Sequence, residues 1–189
     1  MNTVLELLDE VTPFDKGEAA SLLLCQHLAR TQPRCLYRDA LDIGHFTAAM
    51  WIVSPDFSQT LLIRHPTLNQ WVQCGGHVDG NPDFLDAALR EMEEEIGLSR
   101  NDVTLPQTTP FDVDVHFIAG RSRKGVWEKD HLHHDVRFLA IADPHKPLPA
   151  SPEGISVAWC KLEDAFAGFY PRSGAWRLVD KTKKLQERL

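Results

Sequence analysis

Apolar residues recur along the chain at two periods, and the changes of period mark out its elements. Leu5, Leu7 and Leu8 predict a short first helix. Asp15 then caps a second, in which Ala19, Leu22, Leu23, Leu24 and Leu28 carry the apolar positions and Pro33 ends the helical stretch. Phe46 to Val53 reads as a strand, Ser54-Pro55-Asp56 as a turn, and Thr60 to Arg64 as the hairpin partner. Trp71 to Gln73 leads into a glycine-rich loop at Gly75 and Gly76. Further strands are predicted over Phe111 to Ile118, Val136 to Ile141 and Ile155 to Trp159. A short helix over Leu162 to Phe169 and a terminal helix over Ala175 to Leu189 come last. Strands joined mostly as hairpins, with an amphipathic helix among them, predict an α/β domain built on a mixed sheet held between helices.

That amphipathic helix carries the main chemical signal. Leu85, Ala88, Leu89, Met92 and Ile96 form its buried stripe, with Asn81 expected as the N-cap, Pro82 as the first helical residue and Gly97 just past the end. With Met92 as the inward reference and about 100° per residue, Glu95, Glu91 and Glu94 fall at roughly −60°, −100° and −160°, on one flank. Glu93 falls at roughly +100° on the other flank, where a solvated surface charge is expected. Acidic residues at a helix C-terminus oppose the macrodipole, and like charges one turn apart cost about 0.2–0.5 kcal/mol per pair. A hard divalent cation, Mg2+ or Mn2+, would reverse that penalty.

The stretch GGHVDGNPDFLDAALREMEEEIGL, Gly75 to Leu98, resembles the box of the Nudix hydrolases, G-x5-E-x7-R-E-U-x-E-E-x-G-U with U apolar. Gly76 opens it, and Arg90 through Leu98 fit its second half at every specified position. One position departs: Pro82 stands where the family has its first glutamate, and Asp79, Asp83 and Asp86 are the carboxylates at hand to replace it. Gly44-His45-Phe46-Thr47-Ala48, Trp71-Val72-Gln73 and Asp79-Gly80 extend the resemblance over roughly residues 38–165, toward a subgroup with a GGHxDG loop. Glu153, six residues before Trp159, is similar to a glutamate that approaches the metals from a loop in many family members; an exposed turn residue is its plainer reading.

The resemblance implies the Nudix α/β/α sandwich over residues 41–189, preceded by an N-terminal helical extension over 1–40. It also implies hydrolysis of a diphosphate linkage in a nucleoside diphosphate joined to a group X. Glu94 and Glu95 would be metal ligands, joined by Glu153, with Glu91 as a further ligand or as the base and Arg90 orienting the glutamates, so that Glu91, Glu94 and Arg90 form the catalytic set. Gly75, Gly76, His77, Asp79 and His133 are the candidate substrate contacts. Two alternatives stand beside this reading: a non-catalytic nucleotide-binding module, and an isoprenoid diphosphate isomerase in which Cys74, beside the glycine pair, would be the reactive thiol.

Composition narrows the partners. The chain has 189 residues, 43% of them hydrophobic, enough for one core. Its net charge of −7 disfavours nucleic acid, which is held by neutralising phosphates with Lys and Arg. Cys25, Cys35, Cys74 and Cys160 show no paired spacing and are expected as reduced thiols, and the first eleven residues contain no basic residue and so lack the pattern of a secretory signal. No apolar run is long enough to span a membrane. A cytoplasmic monomer or homodimer acting on a small nucleotide-like diphosphate is therefore expected. The segment Ala119 to Asp130, with Arg121, Arg123, Lys124 and Lys129, is expected as a basic loop, solvated or in contact with phosphates. His131, His133 and Asp135 alternate, so on a strand they share a face with His134 opposite. Imidazoles at that spacing suit zinc, although polar packing or a place in the substrate lining is the favoured reading.

Overall fold

The computed structural model describes residues 2–65, 70–123, 125–168 and 174–188. Two helices open it, α1 (Asn2–Asp9) and α2 (Lys16–Thr31), the second capped by Asp15, whose carboxylate accepts from the Glu18 amide at 2.7 Å. Strands β1 (Gly44–Val53), β2 (Gln59–His65), β3 (Gln70–Val72) and β4 (Cys74–His77) precede the acidic helix α3 (Phe84–Glu95). A short 3-10 turn (Arg100–Asp102) leads to β5 (Asp112–Ile118), the small hairpin β6 (Arg121–Arg123) and β7 (Val126–Glu128), and β8 (His131–Ile141). Strand β9 (Val157–Lys161) and helices α4 (Leu162–Gly168) and α5 (Ala175–Gln186) complete it.

Among the described residues the main sheet has seven strands, in the order β3-β2-β1-β8-β5 with β4 added on β1 and β9 on β2. Strand β1 is its axis. All ten of its residues are buried, and it runs parallel to β8 along its full length. On its other edge it pairs with β4 over Thr47 to Met50 and with β2 at Ile52 and Val53. The remaining pairings are antiparallel, so the sheet is mixed.

Side chains alternate across this sheet, and its two faces differ in chemistry. Phe46, Ala48, Met50 and Ile52 of β1, with Val136, Phe138 and Ala140 of β8, pack into a core shared with α1, α2 and α3. Val4, Leu8, Cys25, Leu28 and Ala29 bring the first two helices into that same core. The opposite face carries Trp51, Val53 and Leu139 against Leu178 and Val179 of α5. Further along, that face turns polar. Arg137, 1% exposed, lies between Asp135 at 2.7 Å, Asp112 at 3.0 Å and Asp114 at 3.1 Å. Arg177 of α5 meets Asp112 at 2.6 Å, and Lys181 bridges Asp112 at 3.2 Å to Glu18 of α2 at 2.5 Å.

Several boundaries differ from the sequence expectation. Helix α3 is capped by Asp83, which accepts from the Asp86 amide at 2.9 Å, so Asn81 and Pro82 lie just outside it. Asn81 instead turns the approach, accepting from the Asp83 amide at 2.9 Å and donating to Asp86 at 3.0 Å. The cap falls there because Asp83 is the carboxylate directly before the buried Phe84–Ala87–Ala88 stripe. Gly97 ends the helix as expected, with φ at 82° and its amide on Glu93 O. The glycine-rich segment is a strand, not a loop, because β1 supplies a ladder for it. The basic segment folds as the β6–β7 hairpin, where Arg121 lies 3.9 Å from Glu128 and Lys129 pairs with Asp42; Lys124 lies outside the described residues, as do Phe169 and Leu189 of the expected helix ends.

Removing one partner from a buried charge cluster leaves the others uncompensated. Arg137→Met is therefore expected to destabilise the fold by about 3–5 kcal/mol, read as a lowered urea midpoint.

Candidate active site

Helix α3 and strand β4 build an acidic centre between them. The buried stripe of Phe84, Ala87, Ala88, Leu89 and Met92 seats α3 on the sheet and turns Glu91 and Glu95 toward the β4 backbone. The Glu95 carboxylate accepts from the Gly75 amide at 2.9 Å. Glu91 lies so close to Gly76 that a Cβ there would sit 2.5 Å from its Oε2, so a larger residue would push the carboxylate from this position. Arg90 holds the group together: Nη1 contacts Glu91 at 2.9 Å and Glu94 at 3.0 Å, while Nη2 donates to the His77 carbonyl at 2.8 Å. Glu94 stands at the half-exposed rim. Glu93 leaves the centre for the other flank and pairs with Arg100 at 3.2 Å.

Crowding of like charge marks this centre. Burial pushes the Glu95 carboxyl up to about 7; the Gly75 amide opposes this, and the charges of Glu91, Glu153 and Glu94 add to it. Glu91 is likewise raised, by burial first, with Arg90 opposing. Glu153, exposed in its turn, thus reaches Glu95 electrostatically. Its loop is anchored to the helix end by Ser151, whose hydroxyl donates to the Glu95 carbonyl at 2.5 Å. The charges of Glu91, Glu94 and Glu95 act on one another, with Arg90 as cationic partner to Glu91 and Glu94, and carboxylate oxygens are the donors that Mg2+ or Mn2+ takes.

The remaining residues singled out in the sequence separate into two groups. Asp79, with φ at 49°, is exposed beside the centre, and its charge bears on both Arg90 and Glu91. Of the three carboxylates available to replace the glutamate absent at Pro82, it is the one so placed; Asp83 caps α3, and Asp86 pairs with Arg100 at 3.1 Å. The rings of His77 and His133 turn to each other, 5.4 Å between centroids, and to His45. Cys74 lies wholly in the core, donates weakly to the Met50 carbonyl at 3.6 Å, and has its thiol pushed far up by burial. Such a thiol is inert.

With this geometry in place, the comparison with known proteins is decisive. The NUDIX domain model matches residues 44–179. The chain belongs to the Nudix family. A curated relative, the mouse asymmetrical bis(5'-nucleosyl)-tetraphosphatase, is 27% identical over 106 residues, which cover 56% of this chain and 65% of that protein. The chain thus matches just under two thirds of that relative's length. Among solved structures, a Nudix-family hydrolase from Clostridium perfringens superposes with TM-score 0.51 at 22% identity, covering 75% of this chain and 97% of its own. The Nudix domain of Shewanella oneidensis NrtR, solved with ADP ribose, gives 0.51 at 17% identity over 84% of this chain and 96% of its own. At these identities the likeness is one of fold. The family match over residues 44–179 includes the glutamates of α3.

Sequence reasoning assigned no role to His45, His116 or the Asp112–Asp114–Arg137–Arg177 network. The signal was present as alternation: Asp112, Asp114 and His116 on one strand and His131, His133, Asp135 and Arg137 on another put polar groups on one face of each.

Because Glu95 binds its proton more tightly in the folded chain than in the unfolded one, its favourable contribution is present below the unfolded value. It is lost as pH rises through about 7. Glu95→Gln is therefore expected to stabilise the metal-free protein at pH 8, by roughly 1 kcal/mol or more, and to change little at pH 4. Chemical denaturation at the two pH values in chelator checks this.

Proposed function

We propose that this Nudix protein is a divalent-cation-dependent hydrolase that cleaves the diphosphate linkage of a nucleoside diphosphate joined to a group X. The observation that carries the reading is the shared flank of Glu91, Glu94 and Glu95, whose charges act on one another, with Glu91 packed against Gly76, Glu95 on the Gly75 amide, and Arg90 cross-linking two of the three. Glu91, Glu94 and Glu95, joined by Glu153, would hold Mg2+ or Mn2+. When bound, the cation neutralises phosphate charge and makes a hydroxide nucleophile accessible near neutral pH. Arg90 fixes the directions of Glu91 and Glu94 and, through the His77 carbonyl, the course of the β4–α3 connection. Glu91 serves as a further ligand or as the base that takes the proton of the attacking water.

The Gly75 amide is already donated to Glu95, so the connection's part in binding substrate falls to Gly76, His77 and Asp79. A net charge of −7 favours a phosphate ligand that arrives with its cations. The mouse relative's name makes dinucleoside polyphosphates the first substrates to try. An isomerase reading lacks its thiol, since Cys74 faces the core.

A panel of nucleotides and non-nucleotide diphosphates with Mg2+ or Mn2+, with products identified by mass spectrometry, tests the proposal. Metal-dependent release of a nucleotide product is expected; a protein that binds nucleotides and turns over none of them is a binding module. On the substrate so found, Glu91→Gln and Glu94→Gln should each lower kcat by orders of magnitude, because a neutral amide is a poor ligand for a hard dication, while Glu93→Gln should change it less than threefold. Pro82→Glu should leave hydrolysis intact. That residue precedes the helix cap, and Asp79 already supplies negative charge beside Arg90.

A further inference from the structure

We propose that His45, His131 and His133 form a binding site for one divalent transition metal ion of the zinc class, separate from the carboxylate centre. Among the described residues these three present one ring nitrogen each, all within 4.8 Å of one another. Zinc–imidazole bonds of about 2.0–2.1 Å in a tetrahedron require nitrogens about 3.4 Å apart, so small ring rotations would close the site. The backbone sets this up. His45 on β1 is the register partner of His133 on β8, and His131 lies two residues earlier on the same face. The two strands are adjacent at the centre of the sheet, which fixes where the rings begin.

Two features of the rings fit a metal. His45 is 1% exposed, and neither of its ring nitrogens makes a well-formed hydrogen bond among the described residues, the Ala40 backbone being the polar group that acts on the ring. Buried polar nitrogens without partners are costly, and a metal would satisfy one of the two. His131 Nδ1 lies 2.8 Å from the Lys129 carbonyl. A carbonyl only accepts, so Nδ1 carries the proton and Nε2 keeps its lone pair outward, as in metal-bound histidines anchored by an outer hydrogen bond.

The neighbours favour nitrogen chemistry over the oxygen chemistry of the other centre. Asp135, next along the same face of β8, is committed to Arg137 at 2.7 Å and to the Thr47 hydroxyl at 2.9 Å. An all-imidazole set prefers zinc-class ions to Mg2+. The His77 ring flanks the site at 5.0 Å from His45, while its carbonyl is held by Arg90, so one residue borders both centres.

The test titrates Zn2+ into the whole chain, stripped by chelator, in saturating Mg2+. One Zn2+ per chain is expected, retained within about twofold when Glu91, Glu94 and Glu95 are all changed to Gln, and weakened at least tenfold by His131→Gln and by His133→Asn. X-ray absorption on the Zn2+-loaded wild type needs no variant and should show three imidazole nitrogens at about 2.0–2.1 Å. Absence of binding, an oxygen-only shell, or an affinity that tracks the glutamates and ignores the histidines would overturn the proposal. None of these readouts uses hydrolysis, so this site and the hydrolase reading fail separately.

Discussion

The arrangement of this protein depends on one buried cation. Arg137 sits on β8 with its guanidinium divided among Asp112, Asp114 and Asp135, and with Arg177 and Lys181 close by. Through these contacts β5, β8, α5 and the N-terminus of α2 are locked to one another. Burial disfavours its charge, and the three carboxylates more than restore it, holding Arg137 far above its ordinary pKa. Such a cluster is a poor source of net stability but a strong constraint on register, because any slip of β8 against β5 would strand a charge.

The same alternation that places Arg137 divides the polar face of the sheet into bands. Trp51 and Leu139 pack apolar contacts under α5, the Asp–Arg network comes next, and the histidines lie at the start of β1 and β8. Thr47 and Asp135 join the middle band to that end at 2.9 Å. The carboxylate centre stands apart, at the contact of α3 with β4, and belongs to the helix-covered side. Two donor chemistries, hard oxygen and imidazole nitrogen, are thereby kept on different supports, with His77 and Arg90 at their border.

How much of this was legible depended on the range of the interaction. The helical wheel alone separated Glu91, Glu94 and Glu95 from Glu93, and Arg100 accounts for the isolated Glu93. It did not fix the helix start, since Asn81, Asp83 and Asp86 are all good caps and only the seating of Phe84 in the core selects Asp83. A loop was the natural reading of Gly75 and Gly76, because a four-residue strand has no signal of its own and exists through its partner β1.

By itself, then, the sequence determined the features that local periodicity and spacing encode: the α/β class, the main helices and strands, the acidic flank of α3 and the Nudix resemblance of Arg90 to Leu98. The tertiary structure decided the features that need residues far apart to meet. It brought Glu153 within electrostatic reach of Glu95, set Asp79 beside Arg90, turned Cys74 into the core and gathered His45, His77, His131 and His133. The physical reason is that strand pairing converts separations of tens of residues into neighbouring register positions. Which polar residue faces which is then a property of the sheet as a whole, not of any segment.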